Sequence, residues 1–214
     1  MKSMLYFAAG LLLFGALSAR AQESAIALAQ RAEASVLRSP GVSMTVRVPQ
    51  QGSISVKIDF HAKRIRIESP SNLIISDGST LWNLSKSTNR LTIDNVAKTG
   101  SPFADPAMVF QFAEHYAAQV SHRAGQTYTL DLTPDGHLSA LLNAASGSAP
   151  GGAQKLQLTL RTNGKSIKIV KAQVMSSRGV QQTSSLTIKP INKIRSDDFL
   201  FKQNASMKVI DLRE

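Results

Sequence analysis

The sequence contains no cysteine among its 214 residues, which excludes disulfide bonds, thiolate nucleophiles, iron–sulfur clusters and cysteine-based zinc sites. Acidic residues are also scarce, because 14 Asp and Glu stand against 25 Lys and Arg and give a net charge of +11. Aromatic residues make up only 6% of the chain, which leaves few rings for stacking on nucleic-acid bases. The hydrophobic fraction of 43% still argues against wholesale disorder. The length and composition therefore predict one domain held by its core alone.

The N-terminus has the pattern of a secretory signal peptide. Lys2 precedes an apolar run over 5–17, and Ala19-Arg20-Ala21 supplies the small-x-small pattern that signal peptidase accepts. The run is shorter than the roughly 20 apolar residues that span a bilayer. We therefore expect residues 1–21 to be removed, the mature domain to cover 22–214, and the protein to reside in the periplasm. Export to that compartment makes nucleic acid an unsuitable partner.

Two hydrophobic periods alternate along the mature chain. Helical spacing predicts helices over 24–38 and 106–122, and period-two alternation predicts about ten strands in two blocks. Asp77-Gly78 between two apolar runs is the clearest hairpin signal. The Gly-, Pro- and Ser-rich segment 143–153 predicts a loop or lid. This order indicates an α+β fold with a large antiparallel sheet.

Two helices are too few to cover the apolar face of ten strands. The sheet is therefore expected to close into a barrel or to curve around a cavity that a lipid-like ligand can fill. An ordinary sheet-on-helix core remains the alternative, and periodicity alone does not separate the two.

The sequence lacks catalytic and metal-binding motifs. The four histidines (His61, His115, His122 and His137) show no ligand spacing, and no nucleophile elbow, Walker loop or dinucleotide fingerprint occurs. Asp197 and Asp198 are neighbours in the chain, so their side chains point to opposite faces of an extended strand. Their two carboxyl groups therefore cannot share a proton as a catalytic pair does. We therefore expect no enzyme activity, no metal and no cofactor.

Positive charge is concentrated at the C-terminal end. Residues 151–214 include 12 basic and 4 acidic residues. Several cations alternate with apolar residues and should line the other face of the sheet, among them Lys155, Arg161, Lys165 and Lys171. This surface is either a solvated face or a docking surface for an acidic partner or an anionic membrane.

The segment Leu73 to Trp82, with the sequence LIISDGSTLW, resembles the central hairpin of the periplasmic outer-membrane lipoprotein carrier (LolA) family. The likeness extends to 59–64, to the Asp105-Pro106 helix start, and to the closing segment from Asp198 to Leu212. The resemblance implies an incomplete β-barrel closed by helices, a half-barrel that shields the acyl chains of lipoproteins. It also implies a monomeric chaperone that takes cargo from an inner-membrane ABC transporter to an outer-membrane receptor.

The resemblance further implies a lid-latching arginine near the hairpin. Arg64 matches the family's basic dipeptide, but Arg66 lies on the same face of the strand, so alternation leaves both residues as candidates. Two alternatives share the fold: a carrier of another lipid or glycolipid, and a periplasmic lipid sensor of the RseB type.

The expected cavity lining combines apolar residues from the predicted strands. Trp82 is the most testable of them, because its fluorescence should respond to a ligand bound inside the cavity. The lining set is Val46, Ile58, Phe60, Ile65, Ile67, Ile74, Trp82 and Ile93.

Overall fold

A computed structural model describes residues 23–48, 52–96, 102–136, 154–176 and 182–213. The predicted signal peptide (1–21) and the predicted lid segment (143–153) lie outside these ranges.

The described chain forms one α-helix, twelve strands and three short 3-10 helices. The helix is α1 (Ala25–Leu37), and the 3-10 helices are Pro102–Ala104, Pro106–Phe110 and Ser196–Phe199. The strands are β1 (Gly41–Val48), β2 (Gly52–Asp59), β3 (Arg64–Glu68), β4 (Asn72–Ser76), β5 (Thr80–Ser85), β6 (Arg90–Asn95), β7 (Tyr116–Ala124), β8 (Thr127–Pro134), β9 (Gln154–Asn163), β10 (Ser166–Ser176), β11 (Gln182–Ile191) and β12 (Lys208–Asp211).

All twelve strands belong to one sheet, in the order β12-β6-β5-β4-β3-β2-β1-β11-β10-β9-β8-β7. Within the described residues β7 and β12 do not pair with each other, so the sheet is open. Neighbouring strands run antiparallel except β12, which lies parallel to β6. The predicted large antiparallel sheet is therefore confirmed, with one parallel strand at its edge that the sequence pattern did not indicate.

The sheet must curl to form its core. Twelve flat strands at a spacing of about 4.8 Å would extend roughly 53 Å, whereas a helix of 13 residues is about 20 Å long. One buried cluster nevertheless joins α1 with residues from β1–β4 and from β8–β10. The strands therefore wrap around the helix, and the predicted half-barrel is confirmed. We call the face that carries α1 the concave face and the opposite side the outer face.

Helix α1 begins as its sequence predicts. The Ser24 hydroxyl accepts a hydrogen bond from the Ala27 N–H at 3.1 Å, which caps the first turn. One stripe of the helix is buried in the core, and Arg31 donates to the carbonyls of Gly164 and Ser166 in the β9–β10 turn. These bonds fix the helix against one end of the sheet.

The predicted helix over 106–122 is wrong. Asp105 caps a 3-10 helix that ends at Phe110, and strand β7 begins at Tyr116. Apolar side chains at 116, 118 and 120 fit period two as well as helical spacing, so the pairing of β7 with β8 decides the outcome. Tyr116 still joins the two parts, because its hydroxyl donates to the Val109 carbonyl at 2.8 Å.

Gly41 allows β1 to approach β2 closely. A Cβ atom at this position would collide with the Ile58 carbonyl oxygen and would lie 2.6 Å from Ile194 Cδ1. We expect Gly41→Ala to lower the free energy of unfolding by about 2 kcal/mol or more, as overpacking does, measured by urea denaturation. Gly136→Ala is the control, because a Cβ there meets nothing within 4 Å. Equal stability of the two variants would contradict this close approach.

Candidate functional site

The concave face carries a continuous apolar row across seven strands. Each residue of the row is the cross-strand partner of the next, from β7 through β8, β9, β10, β11 and β1 to β2. We call it the concave row, and its members are Val120, Leu130, Leu158, Ala172, Leu186, Val46 and Ile54.

Coverage of the concave row is uneven. Helix α1 packs against β7, β8 and β10, and Leu130 and Leu158 are completely buried. Leu186, Val46 and Ile54, on the three strands beyond, are only half-buried. The row is therefore buried at Leu130, Leu158 and Ala172 and continues onto a part of the concave face that the described chain leaves partly uncovered.

Further half-buried apolar side chains lie elsewhere on the concave face, on β9 and β11 and at the far end of β2. Ile188 on β11 and Leu156 on β9 pack against the core without being enclosed by it. At the end of β2, Phe60 packs edge-on against Phe110 with ring centroids 5.8 Å apart. This surface has the apolar character and the open side that an acyl chain needs in order to bind and to leave.

Six of the eight predicted lining residues lie on the concave face. Four of them are 0–3% exposed and belong to the packed core: Ile58, Ile65, Ile67 and Ile74. Val46 and Phe60 are half-buried. Among the predicted residues, these two are the ones that a ligand could touch without displacing the core.

Trp82 and Ile93 point away from the concave face. Ile74 pairs with Asn83, so Trp82, one residue earlier, projects to the outer face, where Ile93 is its cross-strand partner. The Trp82 ring stacks on Phe201 with centroids 6.2 Å apart and an interplanar angle of 3°. These residues form a second, separate cluster under the C-terminal segment. Their predicted place beside Ile74 in one cavity is therefore wrong.

This placement reverses the expected fluorescence behaviour of the single tryptophan. We expect an acyl ligand to leave the emission of Trp82 unchanged, because the sheet separates the indole from the concave row. Phe201→Ala should shift the emission to longer wavelength, since it exposes the stacked indole to water. A ligand-dependent shift in the wild-type protein, absent in Phe201→Ala, would instead place the ligand under the C-terminal segment.

The predicted lid arginines also lie on the outer face. Arg64 and Arg66 alternate with the core residues Ile65 and Ile67, so both point away from α1. Arg66 donates to Glu68 at 2.9 Å. Their role as a lid latch stays a prediction, because the predicted lid segment (143–153) lies outside the described residues.

Arg64 holds the C-terminal segment and a buried carboxylate. Its Nε donates to Asp59 Oδ2 at 3.0 Å, and its Nη2 donates to the same oxygen. Its guanidinium lies 5.0 Å from the centroid of the Phe199 ring, within the range of a cation–π contact. This cluster joins the β2–β3 hairpin to the segment that leads into β12.

The charge of Asp59 is stabilised by its hydrogen bonds. Burial raises the pKa of this carboxyl, but bonds from Arg64 and from the backbone N–H groups of Ala62 and His61 outweigh burial, so its pKa lies below the usual value. A lowered pKa in the folded state stabilises the fold at neutral pH.

The concave row can bind a ligand only through apolar contact, because none of its seven side chains is polar.

Across the described ranges, no group of three or more His, Asp or Glu could hold a metal ion. His115 precedes β7, and its Nδ1 lies 3.0 Å from Asp135 Oδ2. In the described part of the chain no helix is long and apolar enough to cross a membrane.

The sequence did not indicate that β11 contributes to this surface. Leu186 and Ile188 alternate with polar residues, but only the pairing of β11 with β1 brings them beside Val46 and Met44. That pairing joins residues 140 positions apart, and no local pattern specifies it.

No family model and no curated protein matches the chain. Solved structures do match. An uncharacterized conserved protein from Thermus thermophilus is 14% identical, covers 86% of this chain and 96% of its own, and has a TM-score of 0.48. A LolA superfamily protein from Nitrosomonas europaea is 12% identical, with 83% and 98% coverage and a TM-score of 0.38. Lipoprotein LppX from Mycobacterium tuberculosis is 10% identical, with 77% and 92% coverage and a TM-score of 0.38.

A LolA superfamily protein is thus among the structures that this chain is similar to, as the hairpin residues predict. What the chain binds has to be inferred from its own concave face.

Proposed function

We propose that this protein is a periplasmic carrier that holds the acyl chains of lipoproteins against the concave row and moves them from the inner to the outer membrane. The observation that carries the proposal is the uneven cover of that row. Val46, Ile54 and Leu186 continue the core outward as half-buried apolar side chains on a curled, open sheet.

The physical requirement of such a carrier is moderate burial. Each buried methylene contributes about 0.8 kcal/mol, so full enclosure of two or three acyl chains would make release very slow. A surface covered on one side by α1 and open over β11, β1 and β2 gives partial burial instead. Partial burial supports a protein that both accepts and gives up its cargo.

The proposed action is binding without catalysis. The concave row holds no nucleophile, acid or base that could act on a bound ester. An inner-membrane ABC transporter as the donor and an outer-membrane receptor as the acceptor belong to the proposal through the resemblance of the hairpin alone.

The test is to purify the protein from its native compartment and to identify the lipid bound to it by mass spectrometry. We expect a triacylated lipoprotein, and we expect a synthetic triacylated peptide to bind while the same peptide without acyl chains does not. Phospholipid or glycolipid in place of lipoprotein would make the protein a carrier of a different lipid. Equal binding of acylated and unacylated peptide would overturn acyl recognition altogether.

A further inference from the structure

The outer face of four adjacent strands carries a group of cations that have no acidic partner among the described residues. They lie on β1, β9, β10 and β11, each on the opposite side of its strand from the concave row. We call this surface the basic face, and its members are Arg47, Arg161, Lys168, Lys171 and Lys189. All five are exposed, and within the described ranges none forms an ion pair.

The arrangement works against stability in the free protein. Arg161 on β9 is the direct cross-strand partner of Lys168 on β10, and like charges in that position repel. The described acids nearest to this surface are already engaged, because Asp131 pairs with Lys155 and Asp198 pairs with Lys57. Because these two cations lie directly opposite each other, we infer that the compensating negative charge comes from another molecule.

We propose that the basic face docks the protein on the anionic headgroups of a lipid bilayer and holds it there with the concave row on the side of the sheet that faces away from the headgroups. This goes beyond the proposed carrier function and does not require that the cargo be a lipoprotein. Each Lys or Arg near an anionic membrane surface strengthens binding roughly fivefold.

The chemistry of the face favours a bilayer over an acidic protein or nucleic acid. Protein interfaces are rich in aromatic anchors and poor in lysine, whereas β1, β9, β10 and β11 contain no aromatic residue. Single-stranded nucleic acid would also need aromatic platforms. The neighbours of the cations on this face are hydroxyl and amide side chains, such as Thr45, Thr159 and Ser185. Such a surface binds a partner through its negative charge density and not through shape complementarity.

A β-bulge adds one apolar contact to the face. The register of β10 against β9 shifts between Ile169 and Lys171, and this shift leaves Val170 44% exposed. The valine lies between Lys168 and Lys171 in the chain, where it can enter the interfacial region as the lysines meet phosphate groups.

The test is sedimentation of the full-length mature protein with vesicles of phosphatidylcholine, with and without phosphatidylglycerol. We expect binding only to the anionic vesicles, and loss of that binding when the screening length falls from about 30 Å at 0.01 M salt to about 3 Å at 1 M. The triple variant Arg161→Gln, Lys168→Gln, Lys171→Gln should bind on the order of 100-fold more weakly.

The control removes the same charge elsewhere. Lys193, Lys202 and Lys208 are exposed cations outside the basic face, and their triple replacement by glutamine should leave most of the binding intact. Equal losses in the two triple variants would show that net charge alone acts and would overturn a docking face. Binding to soluble polyglutamate without binding to anionic vesicles would also overturn the bilayer and would favour an acidic protein.

The same variants separate this proposal from the carrier function. The basic-face triple variant should bind a triacylated peptide as tightly as the wild type, since the concave row is unchanged. Failure of acyl binding with intact vesicle binding would remove the carrier function and leave the docking face standing.

Discussion

Replacing Val46 and Leu186 together by glutamine is expected to weaken the binding of a triacylated peptide on the order of 100-fold. The two residues are cross-strand partners at the half-buried end of the concave row. Each new amide would lose water to an acyl chain without gaining a partner, at about 1–3 kcal/mol apiece. Because both sites are half-exposed in the free protein, the melting temperature should change little. Isothermal titration gives the affinity, and circular dichroism follows the melt.

The matched control uses the next cross-strand pair in the register. Thr45 and Thr187 are partners on the same two strands, and their side chains point to the outer face. Thr45→Gln with Thr187→Gln should leave the affinity for the acylated peptide unchanged. Comparable weakening by both pairs, or by neither, would mean that the acyl chains do not lie on the concave row.

Removing the Asp59 carboxylate is expected to produce the largest loss of stability among single substitutions on the outer face. Asp59 is 3% exposed and accepts hydrogen bonds from Arg64 and from two backbone N–H groups. Asp59→Ala leaves the half-buried guanidinium without its counter-charge, which costs about 3 kcal/mol for pairs of this kind. Urea denaturation at neutral pH measures the difference from the wild type.

The pH dependence of that difference has a definite sign. Because the pKa of Asp59 is lowered in the folded state, its contribution is fully present above the ordinary carboxyl pKa of about 3.9 and is lost as the pH falls further. The gap between the wild type and Asp59→Asn should therefore shrink below about pH 4. Asp211→Asn, at an exposed Asp–Arg pair, is the control and should not alter stability measurably. A gap that stays constant down to acid unfolding would show that Asp59 acts through packing and not through its charge.

The architecture was largely predictable because its signals are local. The Asp77-Gly78 turn and the alternation of strands such as β3 specify hairpins between neighbours in the chain, and most of the sheet is built from such hairpins. The region after Asp105 was not predictable, because its apolar spacing fits a helix and a strand equally well. Only the partner strand β8 decides between them.

The faces of the candidate-site residues could not be predicted from alternation alone. Alternation assigns faces within one strand, but it does not fix the register between two strands that are joined by a turn. Asp77 and Thr80 flank a two-residue turn and are joined by a backbone hydrogen bond, which sets Ile75 opposite Trp82 and so places Trp82 on the outer face. Counting residues along one strand gives the right faces within that strand but not between strands. Leu186 was missed for a related reason, since its pairing with Val46 is long-range.

Photo-crosslinking locates the bound acyl chains and so tests whether they lie on the concave row. A triacylated peptide with a diazirine on one acyl chain would be bound to the wild-type protein and irradiated, and the labelled residues would be mapped by mass spectrometry. We expect labelling on β1, β2 and β11 around Val46, Ile54 and Leu186, and competition by unlabelled triacylated peptide. Labelling confined to Trp82, Ile93 and Phe201, or labelling that no competitor removes, would contradict it.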